Sequence, residues 1–152
     1  MFNATDIANY FINLGIVNDI PLTNMKLQKV LYIANGIHLA VKGEQLLKDV
    51  PEAWKYGPVF PSVYDRFKSW GNQPINRPQP SGNIVLESGT QEILSIVWEI
   101  TKELDGIKLA NWTHKPESPW DVSIKKGNNT PIDSEETKTY FRDTFNIIPD
   151  NH

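Results

Sequence analysis

Between Thr23 and Gly43 the chain reads TNMKLQKVLYIANGIHLAVKG. Leu27, Val30, Leu31, Ala34, Ile37, His38 and Val41 recur at the three- and four-residue spacing of one helical stripe. Tyr32, Ile33, Leu39 and Ala40 add apolar surface on other faces of the same helix. Such a helix is stable only when neighbours cover it nearly all round, so it must lie at the centre of the fold. Thr23 or Asn24 can cap its start, and Gly43 can end it. Its longest apolar run, Val30 to Val41, is interrupted by Asn35 and His38 and is too short to span a bilayer.

The other segments supply the covering. Ile7, Tyr10, Phe11 and Leu14 mark a first amphipathic helix with Asn3 or Thr5 as cap and Gly15 as stop. Glu52 to Lys55 alternates polar and apolar as a short strand that Gly57-Pro58 should end, and Pro61 then suits the first turn of a helix carrying Phe60, Val63, Tyr64 and Phe67. Asn72 to Gly89 is rich in proline and reads as a loop, with Ile84 to Leu86 as a brief strand able to pair with Ala53 to Lys55. A third long helix has a cap at Ser88 or Thr90, places Ile93, Val97, Ile100 and Leu104 on one face and ends at Gly106. A short helical piece through Leu109 and Trp112 follows. Asp133 and Glu136 then form a capping box for a last helix holding Tyr140, Phe141 and Phe145. The fold class expected is mainly α: a compact single-domain bundle around the central long helix, with a small two-stranded β element. One domain over residues 1–148 and a tail over 149–152 account for a chain of 152 residues.

Charge and chemistry narrow the function classes. A net charge of -3 argues against a broad phosphate-binding surface, and the central helix is too apolar to lie in a DNA groove. Direct nucleic-acid binding is therefore not expected. The chain has no cysteine, and its amino terminus lacks the charged start and apolar run of a signal peptide, which together with the missing membrane span places it in the cytoplasm. His38, His114 and His152 show no metal-ligand spacing, and no nucleophile elbow, P-loop or dinucleotide fingerprint is present. No catalytic, cofactor or metal site is expected. His38 reads as a hydrogen-bonded core histidine. His114 reads as a loop residue whose ring ties backbone groups together, with Pro119-Trp120 closing that loop onto the core. Lys26 and Lys29, one turn apart, either hold internal carbonyls or Glu52, or form a small cationic docking spot beside Lys55.

Three ordered blocks carry a family likeness: MKLQKVLYIANGIHLA, EAWKYGPVFPSVYDRFKSWG, and WTH followed by SPW. Over about Thr5 to Phe145 the chain resembles the Panacea domain, the SocA-like antitoxin family also described as phage-associated GepA-type proteins. The residues that carry the resemblance are Lys26, Gln28, Lys29, Tyr32, Trp54, Tyr56, Gly57, Pro58, Tyr64, Thr113, His114, Pro119 and Trp120. Phe60 and Trp112 depart from the usual residues of the family. The resemblance implies a mainly helical, non-enzymatic antitoxin of a bacterial or prophage type II toxin-antitoxin system, which neutralises a co-encoded cognate toxin by direct binding. The alternatives it leaves open are an adaptor that delivers the toxin to the ClpXP protease, and a phage-associated enzyme or factor using His114 near Asp121 or Glu117. Trp54, Tyr56, Tyr64 and Phe67 are expected to fix the fold, leaving partner choice to Asn72–Gly89 and Lys115–Pro131.

Overall fold

The computed structural model describes residues 1–150. Its elements are α1 (Ala4–Val17), α2 (Asn24–Lys42), β1 (Glu52–Trp54), β2 (Gly57–Val59), α3 (Pro61–Phe67), α4 (Ser88–Thr101), α5 (Gly106–Thr113), α6 (Pro119–Ile124), β3 (Thr130–Pro131) and α7 (Ser134–Phe145), with a 3-10 turn at Lys68–Trp70. The protein is mainly helical, as the pattern of its apolar residues requires.

Helix α2 is the axis. Every residue from Lys26 to Ala40 is buried, and α1, α3, α4, α5, α7 and β2 all pack against it. The Thr23 side chain accepts from the Lys26 N–H at 3.2 Å, and Gly43 ends the helix in the left-handed region at φ +79°. Helix α7 lies closest where α2 has no side chain: a Cβ on Gly36 would meet the Phe141 ring within 2.4 Å. Phe141 is fully buried there, edge-on to Tyr32 at 5.5 Å and flanked by Trp112, Tyr140 and Phe145. At the start of α7 the Asp133 carboxylate accepts from the Glu136 N–H at 2.9 Å, as the D-x-x-E spacing implies.

Polar groups on the buried helix all have partners. Asn35 Oδ1 accepts from the N–H groups of Leu46 and Leu47, Gln28 Oε1 from that of Phe60, and Gln28 Nε2 donates to Asn24 Oδ1. His38 lies with Nδ1 2.8 Å from the Glu44 carbonyl and Nε2 3.3 Å from Thr90 Oγ1, the bonded core histidine expected.

The departures lie mostly where a segment meets a distant one. Helix α1 continues past Gly15 to Val17; that glycine is required because the returning chain places the Ile20 carbonyl 2.6 Å from where its Cβ would be. Gly57-Pro58 begins a strand instead of ending one, since Lys55-Tyr56 makes the turn of a tight hairpin pairing Glu52 with Val59 and Trp54 with Gly57. Pro58 is tolerated because β2 lies at the edge of a three-stranded antiparallel sheet ordered β2-β1-β3. The second neighbour of β1 is Thr130–Pro131 and not Ile84–Leu86. The latter stretch has no ladder: Ile84 and Leu86 turn toward the core and Val85 toward solvent, which gives a period of two without a partner strand. On α4, Ile93 and Val97 are buried as expected, but Ile100 is exposed together with Ile96, and the helix ends at Thr101, not at Gly106, which instead begins α5; Leu104, also exposed, lies in the turn between them. The cap position of α4 is Glu87, whose carboxylate accepts from Thr90 Oγ1 at 3.4 Å and makes no bond to the backbone N–H groups of the first turn. Asp150 returns to α2 through its N–H to the Val41 carbonyl and its carboxylate to Lys42 at 3.1 Å. The rest of the expected tail, 151–152, lies outside the described residues. Among the described residues no helix is long and apolar enough to cross a membrane.

Replacing Gly36 by Ala must push the Phe141 ring out of its seat, an overpacking cost of roughly 1–3 kcal/mol. Urea unfolding of the Gly36→Ala protein should show that loss; an unchanged midpoint would mean that α7 does not dock on α2 as described.

Candidate functional site

The three sequence blocks meet at one place. Gly57 crosses over the Lys29 side chain with φ +117°, so close that a Cβ would lie 2.7 Å from Lys29 Cε and 3.1 Å from Thr113 Oγ1. The Lys29 ammonium donates to the Pro58 carbonyl at 3.3 Å. Ser118 Oγ donates to the Thr113 carbonyl at 2.8 Å while accepting from the Asp121 N–H, which starts α6 at Pro119 directly behind the end of α5. Trp120 Nε1 then reaches back and donates to the Trp54 carbonyl at 2.7 Å. The Trp54 indole lies edge-on to Tyr64 at 5.0 Å and donates to Glu52 Oε1 at 2.9 Å. Lys29, Trp54, Gly57, Pro58, Tyr64, Thr113, His114, Pro119 and Trp120 thus form one connected cluster.

The remaining signature residues sit around it with other tasks. Lys26 donates to the Lys102 carbonyl at 2.7 Å, satisfying the last turn of α4. Its pKa is lowered by burial and partly restored by Glu103 and Asp105. Gln28 holds Phe60, and Tyr32 packs on Phe141, where burial pushes its hydroxyl pKa up. Lys26 and Lys29 are 7% and 2% exposed, so neither forms the expected spot on the open surface; both ammonium groups turn inward to carbonyls, and only Lys29 also lines a cleft that Lys55 shares. Tyr56, expected to fix the fold, is 61% exposed because it occupies the hairpin turn.

His114 is held differently from the expectation. Its ring stacks on Trp120 with centroids 3.8 Å apart and planes 11° apart, and Nε2 is buried without a hydrogen-bond partner. Its backbone N–H, not its ring, closes α5 on the Ala110 and Asn111 carbonyls. Burial, and then the nearby charge of Lys29, lower its pKa. Asp121 does not serve it: that carboxylate accepts from the Glu117 N–H and from Lys125, which hold it below the usual carboxylate range. Among the described residues no group of three or more His, Cys, Asp or Glu side chains could hold a metal ion.

Beside the cluster opens a cleft of about 550 Å³ between α2, the hairpin, α3 and the start of α5. Met25, Trp54, Tyr56, Val59, Tyr64 and Ile107 make its walls, and Gln28 and Lys29 lie beneath them. Lys29 is nearly enclosed, and burial depresses its pKa from 10.5 to about 8. Ile107 is 64% exposed at the edge of the cleft, and Ile96 and Ile100 on α4 and Leu104 in the following turn are exposed as well. Sequence reading did not identify Met25 and Ile107 as site residues, and assigned Ile100 and Leu104 to the core. The signal was there: Ile96, Ile100 and Leu104 repeat every four residues as a second stripe beside Ile93 and Val97.

Fold and cluster define a mainly helical domain with an open cleft over a buried lysine. The chain belongs to the antitoxin SocA-like, Panacea domain family, whose model matches residues 27–121 and therefore all three blocks from Leu27 onward. It is 33% identical over 140 residues to the antitoxin SocA of Caulobacter vibrioides strain NA1000 / CB15N, covering 86% of this chain and 74% of that protein. No solved structure matches the chain.

Three outcomes follow from the cluster and its rim. Lys29 releases its proton near pH 8 when folded and near 10.5 when unfolded, so between these values the unfolded chain binds more protons and stability rises with pH. Against Lys29→Met, the parent should therefore gain on the order of 2 kcal/mol from pH 8 to pH 10 in urea unfolding, and nothing below pH 7. A pH-independent difference would count against the buried ammonium. Replacing His114 by Ala removes the stack on Trp120 and should lower the melting temperature, with a loss of about 1–2 kcal/mol. Tyr56→Ala should change stability by no more than about 0.5 kcal/mol in the same melts.

Proposed function

We propose that this chain is a cytoplasmic antitoxin that neutralises a toxin protein encoded beside it by direct protein–protein binding. Its relative carries the name of an antitoxin, and membership of the SocA-like family supports the same role here. The observation that carries the direct mode is the exposed apolar surface. Ile96 and Ile100, one turn apart on α4, are 47% and 44% exposed, Leu104 in the turn after it is 38% exposed, and Ile107 lines the cleft. A stable partner needs about 800 Å² of surface with a few apolar anchors inside a polar rim. Glu92, Glu99, Glu103 and Lys108 supply charged neighbours in the same stretch of sequence.

This placement differs from the loops first favoured for partner choice. The segment 115–131 carries α6 and β3, and the Pro-rich loop is tied to α1 where Asn9 donates to the Pro80 carbonyl and Asn13 to that of Gln79. Both are less free to adapt than the exposed residues of α4.

The test is growth rescue. The protein of the neighbouring open reading frame is induced in a bacterial host with and without this chain, and the pair is co-purified. Rescue with a stable complex is expected, and Ile96→Asp with Ile100→Asp should abolish both at an unchanged melting temperature. Rescue that disappears when ClpX or ClpP is deleted would assign the adaptor mode instead of direct inhibition.

A further inference from the structure

The cleft over Lys29 has a chemical peculiarity that the exposed apolar residues of α4 lack. Lys29 is buried with no carboxylate in salt-bridge distance among the described residues, and its one hydrogen bond, to Pro58, is long at 3.3 Å. An ammonium carries three donors, and a buried charge without a counter-ion is unfavourable. The neighbouring Lys26 has a 2.7 Å bond and two acidic groups acting on it. The fold thus satisfies one lysine and leaves the other incomplete at the cleft.

The rim has the same sign. Lys55 and Lys68 line it with Lys29, against a single carboxylate, Asp105, which already accepts from the Lys108 N–H at 2.8 Å as the cap of α5. Asp65 lies 3.8 Å from Lys68, outside the lining. On a protein of net charge -3 this is a local cationic hollow with aromatic walls. Its volume of about 550 Å³ falls in the range that accommodates a large side chain with its neighbours.

We propose that this cleft receives an acidic anchor segment of the toxin: an aromatic or large aliphatic side chain seated against Trp54, Tyr64 and Ile107, with an adjacent Asp or Glu carboxylate paired to Lys29. The carboxylate supplies the missing counter-charge, as a charge-assisted hydrogen bond in a poorly hydrated site. Lys55 and Lys68 attract the acidic segment before contact. The identity of the partner rests on the antitoxin reading; the chemistry of the cleft does not.

Two arms keep these apart. In the first, indole-3-acetate and its neutral counterpart indole-3-acetamide are titrated into the isotopically labelled protein. The acetate should perturb the amides of Trp54, Gly57, Tyr64 and Ile107 and bind at least tenfold more tightly than the amide; equal binding, or shifts centred elsewhere, would overturn the carboxylate assignment. In the second, the neighbouring-gene protein is titrated against the parent, Ile107→Asp, Lys55→Glu with Lys68→Glu, and Lys125→Gln as a remote control. These rim positions are exposed, so the variants fold, and the first two should each lose at least tenfold in affinity while the control keeps it. Unchanged affinity in both rim variants overturns the docking proposal. Self-association abolished by Ile107→Asp would make a second copy the occupant and equally overturn it. If the neighbouring protein does not bind the parent at all, the antitoxin reading fails, and the indole arm still decides the chemistry of the cleft.

Discussion

A helix buried from Lys26 to Ala40 offers no face to water, so each polar group on it has to find its partner inside the protein. Those partners come from far along the chain. Lys26 holds the end of α4, Gln28 the start of α3, Lys29 the hairpin, Asn35 the return after α2, and His38 the start of α4 through Thr90. An apolar helix could slide or rotate among apolar neighbours at little cost. A helix with five polar side chains in fixed places admits one arrangement, because any other leaves several of them unsatisfied at about 1–3 kcal/mol each. The polar residues of α2 set the register in which its neighbours pack, while its apolar residues supply the driving force.

Among these anchors Lys29 is the least satisfied, and it is the one beside the open cleft. The reason is geometric. Gly57 must cross its side chain within contact distance, and only a residue without Cβ at φ +117° can do so. That crossing brings the Pro58 carbonyl to the ammonium at 3.3 Å. Trp120, bonded to the Trp54 carbonyl and stacked on His114, fixes the other strand of the hairpin. The cleft therefore has a floor held by hydrogen bonds and ring stacking and a mouth open above it.

What the sequence made legible was local. The cap at Thr23, the stop at Gly43, the capping box at Asp133 and the enclosure of α2 depend on residues within a few positions or on helical period alone. The partner of β1 depended on where a strand 76 residues downstream of Trp54 would return, and no period encodes that. Ile84 to Leu86 alternated because one side packs on the core, which is the same signal a paired strand gives. Ile100 and Leu104 looked like core because an exposed apolar line and a buried one have the same helical spacing. For the site, the three blocks pointed to a shared architecture, and the structure gathers most of their residues at one cluster. The walls of the cleft, Met25 and Ile107 above all, come from positions that no motif marks.

The division between floor and rim bears on how one architecture could meet different partners. Gly57 packs against Lys29 and Thr113 without room for a Cβ, and Trp120 bonds the Trp54 carbonyl, so a change at Gly57 or Trp120 disturbs the hairpin. Lys55, Tyr56 and Ile107 project from a turn and a helix start, and their side chains leave the core untouched. A substitution at the rim can therefore alter the charge and shape met by a partner at little cost in stability, while the floor keeps the cation and the aromatic walls in place. Tyr56 apart, the signature residues are the scaffold of the cleft, and the residues around it are free to differ.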